Sequence, residues 1–103
     1  MPTAVPDSAA AVAGIKDLRR IPGVGPAMAG DLLGLGYDSV NSLRGEDPEA
    51  MYARFMDQQG RHVDRCVLYV FRCAVHFAEN PGETDKEKLK WWNWMDNKLG
   101  RKA

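Results

Sequence analysis

Apolar residues along this chain recur at helical spacing and never alternate strictly over the length of a strand. Leu18 and Ile21 make one short set. Met28, Leu32, Leu33 and Leu35 make a second. Met51, Tyr52, Phe55 and Met56 make a third. Turn residues punctuate between them: Gly23, Gly25 and Pro26; Gly34 and Gly36; Gly45 and Pro48; Gly60; Pro81 and Gly82. The pattern predicts an all-α chain of short helices and one longer helix.

The longer helix is expected from about Val63 to Glu79. Cys66, Val70, Cys73 and Phe77 fall on one side, Val67, Phe71, Ala74 and Ala78 on another, Leu68 and Val75 on a third. A helix apolar nearly all round is buried nearly all round, so it should be the central strut. Its one polar line holds Arg65, Arg72 and Glu79, flanked by Tyr69 and His76, and is expected to face solvent.

A weak repeat lies at an offset of 22 residues. Ile21-Pro22-Gly23-Val24-Gly25-Pro26 matches Leu43-Arg44-Gly45-Glu46-Asp47-Pro48 in the apolar residue, the first Gly and the Pro. Each unit would be a short helix, a tight turn and a second helix, and two such units would build a compact four-helix core. Asp47 before Pro48 is a good helix start, with Asp as cap and Pro at the first helical position.

The first of these turns is the most informative stretch. Its Pro-Gly-Val-Gly run followed by a helix resembles a helix-hairpin-helix motif. Glycines leave the turn's N–H groups uncovered. Those groups sit at a helix N-terminus, where the dipole also favours an anion. A DNA phosphate could dock at Gly23, Val24 and Gly25 without any base being read. Val24 would plug the tip into the core, and Ala29 would let the two helices cross closely. Lys16, Arg19 and Arg20 would supply positive charge. The alternative is that the glycines only make the turn. Pro26 stands where phosphate-binding hairpins often carry a basic or hydroxyl residue, and it has no N–H. The second turn carries Glu46 and Asp47, whose carboxylates would repel phosphate. If one hairpin holds DNA, it is the first.

Composition narrows the classes. The 103 residues include 14 basic and 14 acidic side chains, a formal net charge of zero. That argues against coating nucleic acid by bulk electrostatics. The zero is a cancellation: residues 1–85 hold 8 basic and 12 acidic groups, residues 86–103 hold 6 and 2. Two cysteines make no disulfide scaffold. No apolar stretch reaches the roughly 18–20 residues that span a bilayer, and no secretory pattern opens the chain, so a membrane is not expected. A reducing cytoplasm is the expected location. Residues 1–14, rich in Ala and Pro, read as a flexible arm; 15–97 as a single domain; 98–103 as a basic tail.

From about Ile15 to Asn97 the chain resembles the small bacterial pathogenicity-locus family, also known as mitomycin resistance proteins. The resemblance is carried by Ile21 to Pro26, Ser39 to Asp47, Val63 to His76 and Lys90-Trp91-Trp92-Asn93-Trp94. The first half, to about Phe55, is also similar to the C-terminal domain of the competence regulator TfoX. The resemblance implies a helix-hairpin-helix or SAM-like all-α domain and supplies no mechanism.

Other residues tempt. His62, Cys66, Cys73 and His76 fall within about 80° on the long helix, yet His62 and His76 stand about 21 Å apart along it. They cannot share one ion, the cysteines read as small core residues, and neither a metal nor any other cofactor is expected. Seven residues apart on one helix, the cysteines cannot pair with each other. Trp91, Trp92 and Trp94 lie among Lys86, Lys88, Lys90 and Lys98. They could stack on single-stranded bases, or form a C-terminal helix that docks on the strut with Trp92 most exposed. No nucleophile elbow, P-loop or paired-carboxylate context is present, so no enzyme and no small-molecule substrate is expected. Two functions remain: a DNA-binding accessory module that uses the first hairpin on double-stranded DNA without reading sequence, and a SAM-like module for a protein partner or self-association. Arg65, Arg72, Trp92 and Lys90 would form a surface for a partner or for nucleic acid.

Overall fold

The computed structural model describes residues 9–95. Within them the order is α1 (Ala9–Leu18), α2 (Pro26–Gly34), a 3-10 turn (Asn41–Leu43), α3 (Pro48–Gln59), α4 (Cys66–Glu79), and two further 3-10 turns, Lys86–Leu89 and Trp91–Trp94. No strand occurs among the described residues, and the fold is all-α.

Helix α1 pairs with α2, and α3 pairs with α4. Leu18, Ile21, Val24, Ala29, Leu32, Leu43, Met51, Phe55, Leu68 and Phe71 meet in one continuous core. The Phe55 and Phe71 rings cross edge to face at 6.0 Å, an arrangement that the ring quadrupoles favour. Polar ties join the halves: Val40 N–H donates to Asp17 Oδ2 at 2.7 Å, and Gln58 Nε2 donates to the Gly34 carbonyl at 3.2 Å.

Helix α4 is the expected strut. Leu68, Val70, Phe71, Cys73, Ala74, Val75 and Ala78 are buried along it. It begins three residues later than the apolar pattern suggests. The Asp64 carboxylate accepts the Cys66 N–H at 2.9 Å, which satisfies a first-turn donor and sets the start there. Val63 is buried outside the helix, and its carbonyl accepts the Tyr52 hydroxyl.

Three expectations need correction. Residues 9–14 belong to α1 rather than to an arm. Gly14 is buried so closely against the Asp38 carbonyl that a Cβ would stand 3.0 Å from that oxygen. An alanine-rich run has high helix propensity and needs only one packed face to hold it. The Trp-bearing segment is not a C-terminal α-helix. It is a strap of two 3-10 turns with extended residues at Lys90 and Met95. Asp85 and Glu87 organise its first turn, with Asp85 accepting the Glu87 N–H at 3.0 Å. The third correction is Arg72, which is buried rather than exposed. The strap lies across the polar line of α4, and Arg72 holds it. Arg72 Nη1 donates to the Trp94 carbonyl at 2.8 Å, and Nη2 donates to Glu49 Oε2 at 2.6 Å. Its guanidinium also lies over the Tyr69 ring at 5.7 Å. Residues 1–8 of the expected arm and the basic tail at 98–103 lie outside the described residues.

Candidate anion-binding turn

The two turns match far beyond the identities that first relate them. Leu18 and Val40 are buried, and their carbonyls accept the N–H groups of Ile21 and Leu43 at 3.1 and 3.0 Å. The Ile21 and Leu43 carbonyls then accept from Val24 and Glu46 at 3.0 and 3.2 Å. Gly23 and Gly45 take positive φ, 87° and 78°. Only glycine takes this backbone without steric cost, so both turns require it. Gly25 and Asp47 are N-caps with φ near −90°, and Pro26 and Pro48 open α2 and α3. The Gly25 and Asp47 carbonyls accept from Ala29 and Met51 at 2.9 and 3.0 Å.

The difference lies in what the outward N–H groups meet. In the second turn Gly45 N–H donates to Glu79 Oε2 at 2.8 Å, and Glu49 N–H donates to Asp47 Oδ1 at 3.0 Å. Two carboxylates of the protein thus hold the donors of that turn. Glu46 turns aside and accepts the Tyr37 hydroxyl at 2.7 Å, while Arg54 donates to the same hydroxyl at 2.5 Å. In the first turn the corresponding donors, Gly23 N–H and Ala27 N–H, have no acceptor among the described residues. The Gly25 and Met28 N–H groups have none there either. Space outside Gly25 is open: a Cβ there would meet nothing within 4 Å.

The expected site residues divide accordingly. Val24 is the buried plug, and its N–H is consumed inside the turn. Gly23 and Gly25 keep their donors. Ala27 and Met28 join them, a contribution that follows from the helix start and not from their side chains. Lys16 and Arg19 are exposed and have no ion pair among the described residues. Arg20 is bound to Asp17 at 2.7 Å. The same Asp17 carboxyl also takes the Val40 N–H, and these hydrogen bonds hold it below its ordinary pKa of 3.8.

The strap touches this turn. A Cβ on Gly23 would stand 2.8 Å from Trp91 Cδ1, so the indole packs directly on the glycine. Trp91 and Trp92 meet edge to face at 5.8 Å. Trp92 is 49% exposed, and it and Val12 are the large apolar side chains left open among the described residues. Lys90 is ion-paired with Glu87 at 2.8 Å. Arg65 is exposed and lies over the Tyr69 ring at 6.0 Å. Arg65, Arg72 and Trp92 therefore do not form one open face, because Arg72 is spent beneath the strap.

The cysteine and histidine set does not converge. Among the described residues no three His, Cys, Asp or Glu groups cluster for a metal ion. Burial pushes the Cys73 thiol up to about 11, which keeps it protonated near neutral pH. Burial, and then the neighbouring Asp64 carboxylate, push Cys66 up as well. His76 Nε2 meets Glu83 Oε1 at 2.5 Å, and its ring lies 5.0 Å from that of Trp94. The Trp94 indole N–H donates to the Lys88 carbonyl at 2.9 Å. These groups fasten the strap. No helix of the described residues is long and apolar enough to cross a membrane.

A small all-α domain with two matched turns, each opening a helix at a proline, one closed by its own carboxylates and the other without an acceptor among the described residues, is thus defined. The family model Cdd1, described as "Pathogenicity locus", matches residues 11–99, and the chain belongs to that family. A search of curated proteins and a search of solved structures each gave no match.

Proposed function

We propose that this chain is a non-enzymatic accessory module that binds the DNA backbone through the turn at Gly23 to Gly25. One observation carries the reading: matched donors at Gly45 and Glu49 hold carboxylate oxygens, while those at Gly23 and Ala27 have no acceptor among the described residues. The second turn supplies its own anions; the first takes one from outside. A phosphate oxygen meets the same requirement as a carboxylate oxygen, a negatively charged acceptor at a helix start. Lys16 and Arg19 add charge. The donors of the turn are main-chain N–H groups, so recognition would be of backbone and not of sequence. The reducing cytoplasm is the compartment proposed.

Few ionic contacts give weak binding. Affinity should fall with salt at a slope of about −0.9 per phosphate engaged. The test is a salt-dependent titration of duplex DNA against wild type and Gly25→Asp. The variant copies the second turn, and its new side chain has open space. Wild-type binding that the variant loses, with the fold intact, supports the reading. Equal binding by both proteins, or no binding by either at about 50 mM salt, contradicts it.

The competing use, as a protein-interaction module, keeps Trp92 as its best feature, since Arg72 is buried beneath the strap and only Arg65 of that pair is exposed.

A further inference from the structure

We infer that Trp92 is a stacking platform for an unpaired base, so that the preferred ligand is DNA in which a duplex meets unpaired nucleotides. The inference rests on the DNA reading above and adds the structure of the nucleic acid to it. Three observations carry it. Trp92 is half exposed although the strap buries its neighbours in part. Its edge-to-face contact with Trp91 means that Trp91 covers at most one of its two faces. Trp91 in turn sits on Gly23, which places Trp92 one aromatic contact away from the open turn donors.

A ring held this way is pre-positioned. Trp91 is pinned between the core and Gly23. The strap that carries both rings is fastened to α4 through the Arg72 bond to the Trp94 carbonyl and the contact of the Trp94 ring with His76. A base stacking on Trp92 would therefore order little of the protein, which lowers the entropic cost of binding. Lys86, six residues before Trp92 on the same strap, is exposed. A base inside an intact duplex has both faces covered by its neighbours; an unpaired base offers one. The turn and Trp92 together thus fit a backbone that continues from duplex into an unstacked nucleotide.

The test compares a blunt duplex with the same duplex carrying a short single-stranded overhang, at about 50 mM salt. Wild type, Trp92→Ala and Trp92→Phe are titrated against both, with circular dichroism melts of each protein. The inference expects wild type to favour the overhang by about tenfold, Trp92→Ala to lose that preference while still binding the blunt duplex, and Trp92→Phe to regain most of it. Equal wild-type affinity for the two probes overturns it. So does a Trp92→Ala protein that melts as wild type but weakens on both probes alike; either result leaves the turn reading standing. Binding to neither probe removes both readings. A dimer in light scattering that Trp92→Ala dissolves would assign this face to a second copy of the chain and also overturn the inference.

Discussion

The turn at Gly23 and the turn at Gly45 share one backbone and have opposite surroundings. Both use a positive-φ glycine, the same 3-10 hydrogen bonds and a proline at the helix start. The second is closed by Asp47 and Glu79 and braced by Tyr37 and Arg54. The first carries a buried valine, an uncapped glycine and a tryptophan packed from the strap. The lesson is that one arrangement of main-chain donors can be closed by the protein's own carboxylates in one copy and left without an acceptor among the described residues in the other. What separates them is side chains at two or three positions, not the path of the chain.

The largest effect should come from adding a single methyl to each glycine. Gly45→Ala meets no atom within 4 Å, so it costs only its left-handed backbone, about 1 kcal/mol. Gly23→Ala has the same backbone cost and also drives its Cβ into Trp91. It should cost at least about 2 kcal/mol and loosen the strap. Thermal melts with tryptophan fluorescence measure both. Similar losses for the two variants would mean that Trp91 does not rest on the first turn.

Capping gives the next effect, with opposite signs in the two turns. Asp47→Ala removes a side-chain cap and should destabilise by about 1 kcal/mol. Gly25→Asp supplies one and should raise stability by a few tenths of a kcal/mol, roughly, while abolishing DNA binding. A mutation that stabilises the fold and destroys the function separates a binding role from a structural one. Loss of both together would reject the comparison.

Opening the second turn is a subtler change. Asp47→Gly with Glu79→Gln removes both internal carboxylates from its donors. This double variant should gain affinity for DNA by severalfold at low salt, since it adds about one phosphate contact. Unchanged affinity and an unchanged salt slope would show that the second turn lacks the geometry attributed to it.

The smallest effect is on acid stability. Glu83 is held below its ordinary pKa of 4.5, first by the hydrogen bond to His76 and then by the Asp85 N–H. Asp17 is held below 3.8, first by the Val40 N–H and then by Arg20. Both folded values lie under the unfolded ones, so both groups contribute stability that is fully present above those ordinary values. It is lost as pH falls through the folded values. Melting temperature should decline below about pH 4.5. Asp17→Asn should flatten part of that decline, because Asp17 ties α1 to the entry of the second turn. An unaltered acid limb in Asp17→Asn would remove this link between the units.

Much of this fold was legible in residue types. The glycine spacing and prolines located both turns, Val24 was readable as a plug, and the apolar circumference of Val67 to Ala78 identified the strut. Docking of the Trp-bearing segment on that strut was also readable. What stayed hidden depends on partners distant in the chain. Glu79 reaches Gly45 across 34 positions, and neither residue advertises the other. Arg72 looked exposed because helical spacing places it on a polar line. Its burial comes from two acceptors, Glu49 and the Trp94 carbonyl, that only tertiary packing supplies. The start of α1 was hidden for a different reason: an alanine-rich run with Gly14 inside it has little amphipathic signal, and its packing uses the absence of a side chain. The open donors of Ala27 and Met28 were implicit in the helix start at Pro26, since the first turn of any helix leaves its N–H groups without partners.

The most direct measurement is amide chemical-shift mapping of the full chain during titration with a short duplex at low salt. The account predicts that the N–H signals of Gly23, Gly25, Ala27 and Met28 move together and saturate, while those of Gly45 and Glu49, already bound to carboxylates, stay in place. Movement of the two turns alike, or movement confined to the second, would contradict it.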